Sequence, residues 1–477
     1  MILAGGPSRE ALQRAGDRVL LIGPDSRERT AAQVLGRVEG LAVALVRRGL
    51  AGQRVGVWYW NSPAAIEAHL ALEWVGATRV PVDPSAPPAE AEAVWRAAGV
   101  EAALVDGAHR LDAPVEPLLH EDDEPLASPG TFEGLSVDPH AVAVLFPRMA
   151  TKDELFAVPI SYANWGAAME VNVSLYRTGV YGPGFDDEEC FVTAQQIMHG
   201  TGLLGTFPFI HMGLPQVLLG RFDAGEFLEA ALRHRATATF FVPGMVTRLA
   251  DAIVESGRAA CPPLRRVLYG GAPIELSDLR RAVEVIGPVL VQLYGRYDGG
   301  WPLAVLGVEE HVAIASGDPS FGRSCGKPIP QIEIRLRALA GKHQGRGELS
   351  VRGPTVVREV ADPDGWLAMG DVASLDDDGY LYLAGRLDGM INTGSFHVYP
   401  PEVEEAIASV DGVAEVLVRG EPDSRWGEAV TAYVVPAADA SPKLVDLLGD
   451  ACARRLARYK IPKRFELVPD LDRIRSG

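Results

Sequence analysis

Stretches of apolar residues at two different spacings alternate along the first hundred residues of the chain. The apolar residues of 30–49 recur at helical spacing, and 54–60 follows as a β-branched and aromatic run typical of a strand. The same alternation continues with helices predicted at 64–76 and 89–99 and strands at 78–82 and 102–105. Strands and helices that alternate in this way predict a doubly wound, largely parallel sheet.

The middle of the chain continues this pattern, with one longer apolar run. Strands are predicted at 141–146, 238–243, 264–273 and 289–298, and helices at 222–232 and 246–255. The most apolar segment, 202–220, contains Pro208, His211 and Gln216, which favours a buried strand–turn–strand over a membrane span. Residues 108–139 are rich in Pro, Asp and Glu without clear periodicity and are predicted to form a surface loop.

The last ninety residues change to shorter elements of both kinds. Helices are predicted at 401–409 and 443–457, and strands at 413–419 and 429–435. This mixture predicts a small α+β unit at the end of the chain.

Composition and charge narrow the classes of protein that this chain can belong to. Its 477 residues are 47% hydrophobic and 23% charged, which is ordinary for a globular protein. The net charge of −18 argues against binding to nucleic acid or to a membrane through a basic face. Four widely spaced cysteines and a start without a signal peptide predict a cytoplasmic protein with reduced thiols. Because the chain as a whole is acidic, any site for an anionic ligand must be locally basic.

The most informative stretch is 385–404, which reads Gly-Arg-Leu-Asp-Gly-Met-Ile-Asn-Thr-Gly-Ser-Phe-His-Val-Tyr-Pro-Pro-Glu-Val-Glu. Arg386 and Asp388 place a cation and an anion beside Gly389, and the prolines before the glutamates mark a helix start. On pattern alone this is typical of a surface turn that leads into a helix. The order and spacing nevertheless resemble the hinge of adenylate-forming acyl ligases, the superfamily of acyl-CoA synthetases, luciferase and peptide-synthetase adenylation domains.

The resemblance covers essentially the whole chain and implies its architecture. It implies a large layered α/β N-terminal domain with a β-subdomain, residues 1–385, and a small α+β C-terminal lid, residues 386–477. The lid would move about a hinge at Asp388. Segments 322–328 and 347–354 resemble the β-subdomain, and 80–84 resembles a motif that is common near the N-terminus of family members.

The resemblance also implies a nucleotide site. Its residues would be Gly270, Gly271, Ala272, Tyr294, Asp371 and Arg386. The Gly-Gly-Ala-Pro segment would wall the adenine, since glycines let the backbone approach a flat ligand closely; a simple strand-to-helix turn is the alternative. Tyr294 would stack on the adenine, and Asp371, helped by Arg386, would accept hydrogen bonds from the ribose hydroxyls.

The phosphate half of the implied site departs from the family pattern twice. Residues 147–156 stand where relatives have a Gly/Ser/Thr-rich loop whose backbone N–H groups hold the ATP phosphates, yet no glycine occurs from 145 through 165. Arg148 or Lys152 could still contact a phosphate, but the pattern favours a solvated loop for both. The family's Tyr-Gly-x-Thr-Glu becomes Tyr-Gly-Arg-Tyr-Asp, so Tyr297 replaces a phosphate-binding Thr and Asp298 replaces the Mg²⁺-binding Glu.

The acyl side of the site is assigned by resemblance as well. His199, in Met-His-Gly-Thr-Gly, matches the His that lies near the substrate carboxylate, although a His in an apolar run is also typical of a protein core. Phe240 and Phe241 are predicted to line the acyl pocket. The predicted catalytic residues are His199 and Asp298, and Asp298 is also a weak candidate for the metal ligand.

Three functions follow from this pattern. The first is an AMP-forming acyl ligase-like enzyme with atypical or weak adenylation, which activates a small carboxylic acid and passes the acyl group to CoA or a carrier-protein phosphopantetheine thiol. The second is a non-adenylating homologue that accepts a pre-activated acyl group. The third is a catalytically silent binding or scaffold protein. The implied cofactors are AMP or ATP with Mg²⁺, together with the thiol of CoA or phosphopantetheine. Binding of the triphosphate is in doubt, because the phosphate motifs depart from the family pattern.

Overall fold

The structure is a computed structural model that describes residues 1–109, 115–120, 130–149, 155–257, 262–318, 320–339, 345–387, 389–393, 396–423, 427–456 and 460–475. Its helices are α1 (Gly6–Ala15), α2 (Ala31–Arg47), α3 (Pro63–Trp74), α4 (Pro88–Ala98), α5 (Tyr162–Arg177), α6 (Gly200–Met212), α7 (Ala224–Arg233), α8 (Pro243–Glu255), α9 (Leu276–Ile286), α10 (Val308–Ala315), α11 (Pro400–Ala408), α12 (Leu444–Arg455) and α13 (Asp472–Arg475).

The strands complete the element order. They are β1 (Ile2–Leu3), β2 (Val19–Ile22), β3 (Glu28–Thr30), β4 (Arg54–Trp58), β5 (Thr78–Pro81), β6 (Ala102–Val105), β7 (Glu116–Leu119), β8 (Ser136–Val137), β9 (Val142–Met149), β10 (Leu155–Ser161), β11 (Phe191–Thr193), β12 (Gln216–Leu218), β13 (Ala238–Phe241), β14 (Arg266–Gly270), β15 (Leu290–Arg296), β16 (Gly300–Leu306), β17 (Ser324–Pro328), β18 (Glu333–Ala338), β19 (Gly347–Arg352), β20 (Leu367–Leu375), β21 (Leu381–Arg386), β22 (Ile391–Thr393), β23 (Phe396–Val398), β24 (Val413–Asp423), β25 (Gly427–Pro436) and β26 (Arg464–Leu467).

Contacts divide the chain into two units. The first consists of Met1–Ile332 with Arg352–Gly365, and the second of Glu333–Val351 with Trp366–Gly477. The strands β18 to β21 thus group with the C-terminal residues rather than with the larger unit. The predicted division into moving bodies of residues 1–385 and 386–477 stays a prediction, and its hinge residue Asp388 lies outside the described residues.

The first unit contains two largely parallel sheets, as the alternating pattern predicts. One has the strand order β10-β9-β5-β4-β6-β7 and is parallel except at β9–β10. In the other, the run β15-β14-β13-β11-β12-β2 is parallel, and antiparallel strands β16 and β3 extend it at its two ends. Every residue of α3 is buried, so this helix is an internal layer of the unit.

The prediction of a strand–turn–strand at 202–220 is wrong. The segment forms helix α6, buried over most of its length, followed by the short strand β12, with Pro208 inside the helix. Apolar residues surround this helix on nearly every side, so its sequence shows neither the helical nor the strand period. Two predicted loops also contain short strands, since β7 and β8 form within 108–139, and β22 with β23 form a hairpin within 385–404.

The second unit is α+β, as predicted for the end of the chain. One of its sheets is built from β18 to β21, with β19–β20 and β20–β21 antiparallel. A second has the order β23-β22-β25-β24, with β26 paired to β25. Apolar residues of α11 and α12, among them Val403, Ile407 and Leu448, pack with Val430 and Val434 of β25 to form its core.

Two further sequence-level expectations concern the cysteines and the membrane. Cys190, Cys325 and Cys452 are buried and unbridged, and burial raises the pKa of the Cys190 thiol to about 12. Among the helices that the structure describes, none combines the length and the apolar character needed to cross a bilayer.

Candidate active site

The ends of β14 and β15 form the platform of the candidate site. Gly270 is the last residue of β14 and lies opposite Leu293, directly before Tyr294 of β15. Because the two strands are parallel neighbours, their carboxyl ends bring the predicted adenine-wall segment and Tyr294 to the same sheet edge. The segment after Gly270 is exposed, and Gly271 has a φ of +89°, which only glycine adopts without strain.

Gly270 itself is small for a reason that the sequence does not show. A Cβ at this position would collide with the carbonyl of Leu293 and meet the Trp301 ring at 3.0 Å. Gly295 of β15 approaches the same ring, since its Cβ would also lie 3.0 Å from Trp301. The buried Trp301 therefore packs against both glycines, and their lack of side chains makes room for this indole.

Phe240 and Phe241 point to opposite faces of the sheet because they are consecutive residues of β13. Phe240 contacts the Trp301 ring at a centroid distance of 5.6 Å and faces Gly205 of α6. Phe241 packs instead in the core beneath α7 and α8, with its centroid 4.9 Å from that of Phe227. Because Phe241 packs in the core, only Phe240 of this pair remains a candidate for the acyl pocket.

Tyr297 forms an aromatic stack on the side of the site where relatives place a threonine. Its ring lies 5.1 Å from that of Phe146, with 25° between the two ring planes. The same ring covers Gly200, the first residue of α6, so closely that a Cβ on Gly200 would collide with it. We call Tyr297 with Phe146 the aromatic stack. It links the middle of β9 to the start of α6.

Arg296 and Asp298 form an ion pair beside the aromatic stack. Arg296 Nε donates to Asp298 Oδ1 at 2.6 Å, and Nη2 donates to Oδ2 at 2.9 Å. Both side chains are mostly shielded, with 32% and 15% of their surface exposed. A guanidinium fork that engages both oxygens of a carboxylate is the strongest form of this interaction. The predicted metal ligand is thus held by a fixed cation.

His199 lies at the N-terminal end of α6 and pairs with a carboxylate. Its Nε2 is 2.8 Å from Oδ2 of Asp83, and both side chains are partly exposed. Burial by itself raises the pKa of Asp83, but hydrogen bonds from Ser85 and the nearby His199 outweigh it and lower that pKa. Asp83 therefore stays ionised and orients the imidazole.

A buried asparagine fixes the segment that carries His199. Asn61 Nδ2 donates to the carbonyls of Gln195 and Leu219 at 2.8 and 2.9 Å, and its Oδ1 accepts from the Ile197 amide at 2.9 Å. The amide thus satisfies three backbone groups that no strand or helix pairs. These bonds hold the turn before α6, and with it the position of His199.

Asp371 and Arg386 come together in the second unit. They are cross-strand partners of β20 and β21, and Arg386 Nη1 lies 3.4 Å from Asp371 Oδ1. The same nitrogen donates to the carbonyl of Met369 at 3.1 Å. The two residues are thus in contact and both side chains are at least partly exposed, while their binding of ribose stays a prediction.

Four side chains of the site were missed in the sequence: Asp83, Phe146, Arg296 and Trp301. Asp83 could have been found from the sequence, because it follows a predicted strand and belongs to the segment 80–84 that resembles a family motif. Arg296 was visible as a charged residue inside a recognised motif, but its partner two residues away, Asp298, was predicted to be a catalytic residue and a weak candidate for the metal ligand. Phe146 and Trp301 gave no signal, since each acts through a contact with a residue distant in the chain.

Comparison with known proteins shows the family to which the chain belongs. The AMP-binding enzyme family matches residues 8–150 and 157–360, and the AMP-binding enzyme C-terminal domain matches 402–477. The chain is 32% identical to the 2-succinylbenzoate–CoA ligase of Bacillus licheniformis over 385 residues, which are 77% of this chain and 75% of that ligase. It is 34% identical to a medium/long-chain-fatty-acid–CoA ligase of Mycobacterium tuberculosis over 282 residues, covering 55% of this chain and 48% of the ligase.

Solved structures give the same result. The amide bond synthetase McbA from Marinactinospora thermotolerans is similar with a TM-score of 0.82 and 27% identity, covering 98% of this chain and 96% of McbA. The o-succinylbenzoate CoA synthetase of Bacillus subtilis, in complex with its acyl-adenylate intermediate, has a TM-score of 0.81 at 24% identity, covering 98% and 96%. The predicted α/β fold class is confirmed.

Proposed function

The chain belongs to the adenylate-forming AMP-binding enzyme family, and from this premise we propose that it is an acyl ligase that handles acyl-adenylate well and ATP poorly. In this proposal the chain holds the adenylate of a small carboxylic acid and passes the acyl group to the thiol of CoA. The thiol sulfur attacks the acyl carbon, the bond from that carbon to the phosphate oxygen breaks, AMP leaves, and the thiol proton passes to solvent.

The aromatic stack is the observation that carries the proposal. Phosphoryl chemistry on ATP depends on N–H donors and cations aimed at the charge that develops on phosphorus and its leaving group. Tyr297 instead places a ring against Phe146 and over Gly200, at the N-terminus of a 13-residue helix. A helix N-terminus is a natural place for a phosphate, and here an aromatic ring covers it.

The adenosine side of the proposal is supported by different residues. Tyr294 is half-buried at the sheet edge next to the exposed Gly271 and Ala272. We propose that Tyr294 contacts the adenine. In the second unit, Asp371 and Arg386 are adjacent, and this supports our separate proposal that the pair recognises ribose hydroxyls. His199, oriented by Asp83, is proposed to contact the acyl carbonyl.

The acyl acceptor divides this proposal into two forms. The curated relatives are named as CoA ligases, which supports a thiol acceptor. McbA is named as an amide bond synthetase and is 27% identical to this chain over nearly its full length, which supports an amine acceptor as the second candidate. Transfer of an acyl group from a synthetic acyl-adenylate to CoA, to a carrier-protein phosphopantetheine or to a primary amine distinguishes the acceptors.

A comparison of ATP with AMP tests the proposed function directly. We expect calorimetry to give a Kd for ATP about tenfold weaker than that for AMP, because the aromatic stack excludes the β- and γ-phosphates while the nucleoside contacts remain. A family member that adenylates efficiently serves as the control. Tighter binding of ATP than of AMP would refute the proposal, and so would an absence of binding by both nucleotides.

Replacing Asp371 tests the nucleoside contacts. We expect Asp371→Ala to weaken AMP binding by about tenfold, since a hydrogen bond to a charged group contributes roughly 1.5–3 kcal/mol. Asp377→Ala is the matched control, because Asp377 is exposed beyond the end of the same strand β20. Calorimetry on both variants is the measurement. If the two variants bound AMP with equal affinity, Asp371 would not contact the nucleoside.

A further inference from the structure

The hairpin between β15 and β16 holds Arg296 and Asp298 in fixed positions. Arg296 ends β15 and pairs in register with Gly300, and the Gly299 amide donates to the Arg296 carbonyl at 3.2 Å to close the turn. The backbone carbonyl of Asp298 in turn accepts from the Val357 amide at 2.8 Å. The pair therefore belongs to a rigid element and not to an exposed loop tip.

Magnesium does not fit the residues of this turn. Mg²⁺ is commonly held by one or two carboxylates together with substrate phosphates in a strict octahedral geometry. Both oxygens of Asp298 already accept from the Arg296 fork at 2.6 and 2.9 Å. A divalent ion at this carboxylate would have to displace the fork and lie next to its positive charge. Over the residues with described positions, no group of three or more His, Cys, Asp or Glu converges to hold a metal.

We propose that Arg296 takes the electrostatic role of the magnesium ion, so that this site binds the phosphoryl group of an adenosine monophosphate or acyl-adenylate without a divalent metal. The inference rests on the proposed function, because it takes the ligand to be a monophosphoryl nucleotide. Asp298 is then a positioning residue that orients the guanidinium, and it is not a metal ligand.

The charges favour this assignment. An acyl-adenylate carries a single negative charge on its phosphoryl group, and the partly exposed Arg296 guanidinium attracts this charge while Asp298 keeps the guanidinium in place. A triphosphate carries several more negative charges, which one guanidinium already paired with a carboxylate does not compensate. The same exchange of a mobile dication for a fixed monocation therefore explains both the preference for a monophosphoryl group and the independence from metal.

The test measures AMP binding by calorimetry with magnesium chloride and with EDTA. The wild-type Kd is expected to be the same in both. Arg296→Met is expected to weaken AMP binding about tenfold in EDTA and to regain affinity when magnesium is added, because it releases the Asp298 carboxylate. Arg281→Ala, which removes an exposed arginine paired with Asp251 on α8, is the matched control and is expected to bind as the wild type does.

Asp298→Asn separates a positioning role from a metal-binding role even if Arg296→Met folds poorly. Removal of the carboxylate leaves the charge of Arg296 uncompensated, so AMP binding is expected to tighten in both buffers. A metal ligand would show the opposite, a weakening seen only with magnesium. Magnesium-dependent AMP binding by the wild type would overturn this inference alone, whereas no binding of AMP in either buffer would overturn the proposed function with it.

Discussion

Pyrophosphate release from ATP is expected to be about 10²–10³-fold slower with this chain than with the 2-succinylbenzoate–CoA ligase of Bacillus licheniformis acting on its own acid. The reason is the proposed loss of donors at the phosphates. Residues 145–165 supply no glycine, the bulky ring of Tyr297 stands where relatives have a threonine hydroxyl, and Arg296 occupies the only carboxylate of the motif. Loss of one such donor typically costs about 10²–10³ in rate. The measurement is coupled detection of pyrophosphate over a panel of carboxylic acids.

Transfer from a synthetic acyl-adenylate is expected to escape this penalty, because that half-reaction needs no pyrophosphate leaving group. Tyr297→Thr should raise pyrophosphate release by roughly tenfold, since it removes the ring over Gly200 and places a short aliphatic hydroxyl where relatives have one. Tyr297→Phe is the matched control, because it keeps the ring and its stack with Phe146 and removes only the phenolic hydroxyl. Pyrophosphate release by the wild type at the rate of the Bacillus ligase would disprove the assignment.

Replacing Glu67 by alanine is expected to lower the free energy of unfolding by about 3–5 kcal/mol. Glu67 lies on the fully buried helix α3. Its carboxylate accepts hydrogen bonds from Arg29 and from Arg37, whose Nε lies 2.8 and 2.9 Å from the two carboxylate oxygens. Its Oε2 also lies 3.2 Å from Nε2 of His120. Its removal leaves two guanidinium groups facing each other with their shared carboxylate gone. Denaturant unfolding of wild type and variant gives the difference.

The exposed pair of Arg281 and Asp251 is the control for this prediction. Asp251→Ala is expected to change stability by at most about 1 kcal/mol, because each partner is roughly half exposed and water screens the interaction. Equal effects of Glu67→Ala and Asp251→Ala would show that the buried network contributes nothing specific.

The Glu67 network also has a pH signature. Burial raises the pKa of Glu67, but the His120 hydrogen bond and the charges of Arg29 and Arg37 together outweigh it and lower that pKa. A carboxyl whose pKa is depressed by folding contributes stability above its ordinary value of 4.5, and this contribution is lost as the pH falls through the folded pKa. The stability difference between wild type and Glu67→Gln should therefore shrink as the solution is acidified below that value.

Local pattern was sufficient for most elements of the fold. The helix predicted at 30–49 is α2 (Ala31–Arg47), where Thr30 and Gln33 form a capping box, and the strand predicted at 102–105 is β6. The prediction failed at α6, because a helix enclosed by the core on nearly every side has hardly any polar face to reveal its period. Hairpins as short as β22–β23 were missed because two strands of three residues have hardly any period.

Site residues divide in the same way. Motifs within a few consecutive positions, such as those that contain Tyr294 and Asp371, could be recognised from their order in the chain. The pairing of Asp298 with Arg296 was within reach of the sequence, yet only the hairpin geometry shows that the two side chains face each other. The pairing of His199 with Asp83 joins residues more than a hundred positions apart, so no local sequence pattern predicts it.

The sequence by itself determined the family, the alternation of strands and helices, and the departure of the phosphate motifs, because each of these depends on residue types at short, fixed spacings. Only the tertiary structure decided what the residues of these departing motifs contact. Close packing brings Tyr297 against Phe146 and Gly200, and a hairpin brings Arg296 onto both oxygens of Asp298. Such contacts depend on distances between side chains after folding, and these distances are not written in the order of residues.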